Sequence, residues 1–317
     1  MKILIIGAAG RLGSEVVKQL DELGTGDTYR FGDIRPMETQ HEFVHCDVLD
    51  PDSLIGAMQG MDMVYSAHVG GARPASDSPA DRLKAISTHF EILTRGTFNI
   101  MQGAAILGIP RVIQVTSEAA RGQSRPIKFT DVCDETTPAV PDYVYALGKY
   151  IKEIIAEYHS RIDGLQTVCL RNGWFQNPNE IRDLNKLGSS LLHQGSVTLY
   201  DMARASALAI GAVKKGTLPN KHEVFLLTNS TEFTRDEVPE LRTNPEAVFE
   251  RHYPGLIALF TQYEIDFQGP KERGKFWKID DISKAKRLLG WEPTFTLRTF
   301  YEKLKAGQYA KGQVFDI

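Results

Sequence analysis

Tyr145 and Lys149 stand four residues apart, a spacing that sets a phenol and an ammonium on one face of a helix. A neighbouring cation lowers the phenol's pKa, as does a positively charged nicotinamide ring. The phenolate so formed can take the proton of a substrate hydroxyl while hydride leaves for that ring. Ser117 follows the apolar run 111–116 and offers a hydroxyl that can hold the substrate oxygen against Tyr145. On local pattern alone it is a loop hydroxyl capping the backbone. The same spacing recurs at Tyr301 and Lys305, where Phe300 and Leu304 share the helical pattern, and this second tyrosine reads as packing.

A second constellation is the turn Gly7-Ala8-Ala9-Gly10-Arg11-Leu12-Gly13, which follows the apolar run 2–6 and opens an amphipathic helix. Residues without side chains let a backbone approach a pyrophosphate, and the helix N-terminus adds free N–H groups and partial positive charge. Asp33 ends the next apolar run, 26 residues beyond Gly7. A carboxylate there accepts both ribose hydroxyls of an adenosine and repels a 2′-phosphate, so the expected cofactor is NAD. Arg11 and Arg35 are nearby cations that leave NADP open. Asp47-Val48 closes the third run; Asp47 either accepts the adenine amino group or caps the helix near Pro51.

The elements that must position these groups are legible from periodicity. Apolar runs at 2–6, 29–33, 42–46, 61–66, 111–116 and 165–171 read as strands. Between them lie helical patterns at 11–23, 51–58, 82–107 and 143–162. Six strands separated by helices predict a Rossmann-type, doubly wound parallel α/β sheet over 1–171. Beyond it, 172–317 predicts a small α/β substrate-binding cap, with 197–228 completing part of the sheet. In that half, 201–213 reads as a helix, 223–227 as a strand, and 282–289 and 297–305 as short helices. The half looks too irregular to form a core of its own.

Taken in order, the 7–13 turn, Asp33, Asp47-Val48, Ser117 and Tyr145/Lys149 resemble the extended short-chain dehydrogenase/reductase family, also called the NAD-dependent epimerase/dehydratase family. The segment 280–293 (DDISKAKRLLGWEP) is similar to that family's late helix and Leu-Gly-Trp-x-Pro turn, and Tyr200-Asp201-Met202-Ala203 to its Val-Asp-Asp-Val-Ala segment. The resemblance covers nearly the whole chain. It implies an NAD domain, a C-terminal substrate subdomain, Ser–Tyr–Lys chemistry, a cofactor contact at Ala67, and a homodimer pairing the helices around 85–107 and 143–162.

Departures from the family pattern are specific. Leu93 stands where the family has Asn, Ala67-His68 where it has Ala-Ala, and Arg171-Asn172 where it has Arg-Pro. Glu118 matches the first acid of the sugar dehydratase branch, but Ala119 stands at the second, so dehydration lacks half its acid/base pair. From Arg171 to Tyr200 is only 29 residues, offering Arg182 and Lys186 as cations, whereas nucleotide-sugar epimerases are longer there. The resemblance therefore points toward a small sugar, sugar acid or polyol, near the uronate dehydrogenase branch. Candidate substrate contacts are His68, Arg73, Glu118, Asn172 and Trp174; His68 reads equally as a loop histidine, and Arg73 reads first as a solvated loop cation. The alternatives are a nucleotide-sugar epimerase/dehydratase and a non-catalytic NAD(P)-binding sensor.

Composition narrows the classes further. The 317 residues carry 37 Lys plus Arg against 40 Asp plus Glu, a net charge of −3, and 42% are hydrophobic. Near-neutral charge offers no broad field for nucleic acid or an anionic membrane. The longest apolar runs fall far short of the roughly 18 residues of a membrane span. The run 3–6 is too short for a signal peptide core. Cys46, Cys133 and Cys169 are odd in number and lack metal-ligand spacing, so they read as reduced thiols of a cytoplasmic protein with no bound metal.

Overall fold

The computed structural model describes residues 1–71, 73–122, 131–176, 183–192, 195–229, 231–272 and 278–309. The chain begins β1 (Lys2–Ile6), α1 (Arg11–Glu22), β2 (Thr28–Asp33), β3 (Glu42–His45), α2 (Pro51–Met58), β4 (Met63–Ser66), α3 (Pro79–Leu107) and β5 (Arg111–Val115). It continues β6 (Val132–Cys133), α4 (Val144–Ile162), β7 (Gln166–Asn172), β8 (Trp174–Gln176), α5 (Leu184–Leu192), β9 (Ser196–Thr198), α6 (Leu199–Lys215) and β10 (His222–Leu227). Short elements follow: α7 (Val238–Thr243), α8 (Pro245–His252), α9 (Leu256–Gln262), α10 (Gln268–Glu272), β11 (Ile279–Asp280), α11 (Ser283–Leu289) and α12 (Leu297–Lys305).

Seven strands form one sheet in the order β10-β7-β5-β4-β1-β2-β3, with parallel pairing from β7 through to β3. This is the doubly wound α/β layer that the alternation predicts. The chain reverses direction across the sheet between β1 and β4, and in such sheets ligands bind beyond the carboxyl ends of the strands at that point. Central strands are buried on both faces, which is why β1 and β4 read as unbroken apolar runs. Helix α1 buries Leu12, Val16 and Leu20, its apolar stripe. Helix α3 begins three residues before the predicted start because Ser78 caps it, accepting the Asp81 N–H, with Pro79 in the first turn. It stops at Gly108, which is left-handed.

Two compact units divide the chain: Met1–Ser124 with Ala139–Arg171 and Ala203–Phe225, and Arg125–Pro138 with Asn172–Met202 and Leu226–Ile317. Besides the break expected at Arg171, the chain passes between the units again at 203–225, within the 197–228 stretch expected to complete part of the sheet, and at β6. Residues 203–225 belong with the sheet because β10 lies beside β7, and β6 belongs with the second unit because it pairs with β11.

The second unit does have a core, contrary to the sequence expectation. Leu187, Leu191, Val248, Phe249, Phe260 and Phe300 are among its buried residues, contributed by several short helices, so no single segment carries a long periodic signal. Asp201 organises this unit. Its carboxylate accepts hydrogen bonds from the Thr198 hydroxyl (3.0 Å), the Thr294 N–H (2.9 Å) and the Thr294 hydroxyl (3.0 Å). The Trp291 indole N–H donates to the Asp201 carbonyl at 2.8 Å. The two late motifs of the sequence are thus one buried contact.

Candidate active site

The glycine turn is shaped by steric necessity. Gly7 is left-handed (φ +83°), and a Cβ there would stand 3.1 Å from the Ala67 carbonyl carbon. A Cβ on Gly13 would lie 2.2 Å from the Gly7 oxygen, so a side chain would force α1 away from the strand. Gly10 precedes α1 without any side-chain cap, and the first turn carries no acid, leaving N–H groups open to an anion. Gly7, Gly10, Asp33, Asp47, Ala67 and His68 line a cavity of about 380 Å³, to which Val48 and Arg35 also contribute. These residues fit a dinucleotide: a side-chain-free cradle at a helix N-terminus, with an acid at its far rim.

Asp33 is held in place. One carboxylate oxygen accepts the Ala9 N–H (3.0 Å) and the other the Arg35 N–H (2.9 Å). The Arg35 guanidinium donates to the Ala9 carbonyl at 3.0 Å. Asp47 accepts the Leu49 N–H at 2.8 Å and faces the cavity, while the cap of α2 is Asp50, which accepts from Asp52 and Ser53. Val48 packs on Gly96, where a Cβ would come within 2.6 Å of its methyl. Leu12 is buried and Arg11 exposed at the start of α1.

The structure brings Ser117, Tyr145 and Lys149 together. Tyr145 sits in the first turn of α4, and burial raises its pKa; hydrogen bonding to Ser117 works the other way, and Glu118 adds to the rise. The Ser117 hydroxyl also accepts the Ala119 N–H at 3.3 Å, so it serves the local backbone as well. Lys149 is 3% exposed, donates to the Val115 carbonyl (3.2 Å), and lies 5.5 Å from the centre of the Tyr145 ring. Burial brings its pKa down to about 8, against the opposing pull of Glu153.

Two residues around this set, Glu153 and Lys152, went unread in the sequence. Glu153 accepts the Thr116 hydroxyl (2.7 Å) and is gripped by Arg171, through Nε at 2.9 and 3.0 Å and Nη2 at 2.7 Å. Lys152 is fully buried; its ammonium donates to the His68 carbonyl at 3.5 Å and its own carbonyl accepts from Gln114. Burial holds its pKa well below the usual lysine range, and Lys149 pushes it further. The signal was present: positions 145, 149, 152, 153 and 156 share one helical face. His68 is also buried, its ring set against the Ser66 hydroxyl (2.6 Å) and the Thr97 hydroxyl (3.4 Å). Burial, followed by Lys152 and Lys149, drives its pKa well down.

A family model described as the NAD dependent epimerase/dehydratase family matches residues 3–191. The chain belongs to this family. It is 28% identical over 194 residues to a uronate dehydrogenase of Pseudomonas putida, covering 58% of this chain and 65% of that protein, less than two thirds of its length. It is 26% identical over 193 residues to an L-arabinose 1-dehydrogenase (NAD(P)(+)) of Haloferax volcanii, covering 57% and 70%. Its fold superposes on a short-chain dehydrogenase/reductase superfamily protein from Agrobacterium tumefaciens, solved with bound NAD, with a TM-score of 0.65 at 20% identity over 97% of each chain.

Within the NAD dependent epimerase/dehydratase family, the departures of this member have physical counterparts. Leu93 is buried against Gly148, where a Cβ would come within 2.7 Å of it, so an apolar contact closes α3 on α4 beside Lys149. Glu118 is buried and ion-paired with Arg121 at 3.4 Å. Arg73 is exposed on the loop before α3. Asn172 and Trp174 belong to the second unit: Asn172 is buried and donates to the Gly173 carbonyl (2.9 Å), whereas Trp174 is exposed. Arg182 lies outside the described residues. Cys46, Cys133 and Cys169 are free and buried. Among the described residues, no helix is long and apolar enough to cross a membrane.

Proposed function

We propose that this protein is an NAD-dependent oxidoreductase or epimerase acting on a secondary hydroxyl of a small sugar, sugar acid or polyol. The observation that carries the reading is the meeting of Ser117, Tyr145 and Lys149 in the unit that holds the glycine cradle. Ser117 orients the substrate oxygen. Tyr145, as phenolate, takes its proton, and the Lys149 ammonium stabilises that phenolate. When bound, the oxidised nicotinamide supplies the hydride acceptor for the carbinol carbon. Release of the ketone makes the enzyme a dehydrogenase; its reduction on the opposite face makes an epimer. Asp33 receives the adenosine ribose, Asp47 the adenine, and the 7–13 turn the pyrophosphate. His68, Glu118, Asn172 and Trp174 are the candidate substrate contacts, with Arg73 the weakest of the set because it is solvated.

The relatives that act on uronate and on L-arabinose support a small carbohydrate. Exposed apolar residues on α3 and α4, among them Phe98, Leu147, Ile154 and Ile162, support pairing of two copies through these helices. Buried free thiols support a cytoplasmic setting. The test is a panel of sugars, sugar acids and polyols with NAD⁺, followed by absorbance of the reduced cofactor and by product chromatography. Net NADH marks a dehydrogenase, and sugar interconversion without it an epimerase. Silence on every compound overturns the reading in favour of a binding protein, and NADP binding tighter than NAD overturns the role given to Asp33.

A further inference from the structure

Tyr143 occupies a position that helix chemistry would give to another residue. It precedes α4 in extended backbone (φ −153°, ψ 164°) and makes no side-chain cap, where Ser, Asp or Asn would bond the open N–H groups. Its ring instead stacks on the Tyr145 ring, with centroids 6.0 Å apart and planes 21° from parallel. His89 of α3 contacts the Tyr145 ring as well, at 5.8 Å. Tyr143 is nevertheless 44% exposed, and Val140 and Val144 beside it are exposed too. Glu118 acts electrostatically on both phenols, so the Tyr143 ring belongs to the neighbourhood of Ser117 and Tyr145.

We propose that the exposed part of the Tyr143 ring, beside Tyr145, is a platform for the ring of a pyranose whose hydroxyl is presented to Tyr145. The inference rests on the carbohydrate reading above and names the part of the sugar that is recognised. The face of an aromatic ring is electron-rich, and the C–H groups along one side of a pyranose are its apolar, slightly positive complement. An acyclic polyol has no such rigid face, so the platform selects closed rings.

The test measures KM and kcat of the wild type, Tyr143→Ala and Tyr143→Trp with NAD⁺, on D-glucuronate and L-arabinose as ring sugars and sorbitol as the open chain. For ring sugars Tyr143→Ala raises KM about three- to tenfold, the loss falling on KM rather than kcat, and Tyr143→Trp rescues it. Sorbitol shows no comparable loss. Equal KM in wild type and Tyr143→Ala overturns the inference, as does an equal loss on sorbitol, which would mark a collapsed loop. A change of particle size on gel filtration with KM unmoved also overturns it, by assigning Tyr143 to a subunit contact. Saturation-transfer NMR of the same sugars with the NAD⁺-mixed Tyr145→Phe protein, with and without Tyr143→Ala, decides the point without turnover. Ring-proton signals that Tyr143→Ala abolishes uphold the platform, and signals indifferent to it, or absent from both proteins, overturn it. Failure of the wild type to oxidise or interconvert any sugar counts against the proposed activity alone.

Discussion

Two tyrosines in this chain stand four residues before a lysine, and their surroundings differ in every respect that matters to chemistry. Tyr301 is buried in the apolar core of the second unit, and its hydroxyl donates to the Pro254 carbonyl at 2.7 Å. Its partner Lys305 is exposed, with the ammonium 5.7 Å from the ring centre. Tyr145 reverses the arrangement: the phenol is partly open and the lysine is buried. A proton committed to a carbonyl and a cation bathed in water do no acid–base work. A cation stripped of water beside an accessible phenol does. Spacing makes the two groups neighbours; burial decides which of them is reactive.

The sharpest break in the comparison is removal of each hydroxyl. With a substrate from the panel, Tyr145→Phe should lower kcat by about 10²–10⁴. Retention of wild-type kcat would sink the assignment of Tyr145 as base. The next is the charge on Lys149. Its pKa of about 8 places a basic limb on kcat/KM of the free enzyme, because above that pH the ammonium is lost and Tyr145 reverts to a weak acid. Lys149→Met should cost about a hundredfold in kcat/KM at neutral pH and erase that limb. A wild-type profile flat from pH 7 to roughly pH 10 would show that the lysine acts without its charge.

Much of this site was legible before any coordinates. Strand–turn–helix periodicity located the sheet to within a residue or two, because parallel central strands are buried on both faces and read as unbroken apolar runs. The 7–13 turn was legible because only glycine tolerates the approach that Gly13 makes to the Gly7 oxygen. Glu153 and Lys152 were not, because a charged residue in an amphipathic helix reads as solvated unless its partner is known. The partners Arg171 and His68 come from β7 and the end of β4, and no local pattern links them to α4. The core of the second unit was missed for a related reason: its helices are short, and only assembly gives them a common interior.

Lys152 shows how far burial alone carries the contrast. Its folded pKa lies well below the value of about 10.4 for a free lysine, so the unfolded chain binds the extra proton more readily. Stability therefore rises with pH between those two values, and the penalty is largest below them. Lys152→Met removes the penalty and should raise the neutral-pH Tm by a few degrees. The gain should shrink as pH climbs toward that of a free lysine. Thermal melts across pH are the measurement; a gain that grows with pH, or a loss at every pH, would mean that the bond to the His68 carbonyl outweighs the buried amine.

The mildest changes belong to the second pair. Tyr301→Phe removes the donor to the Pro254 carbonyl and keeps the ring in its contact with Tyr253 at 5.7 Å. The cost should be about 1 kcal/mol of stability, the net worth of one neutral hydrogen bond, with kcat untouched. Lys305→Ala should fall within about 0.5 kcal/mol, because an exposed ammonium near a ring face gives up to water most of what it gains there. Urea titrations and kcat measured on the same preparations separate the two effects. A loss of kcat in either variant without a loss of stability would mean that the spacing itself, rather than burial, carries the chemistry.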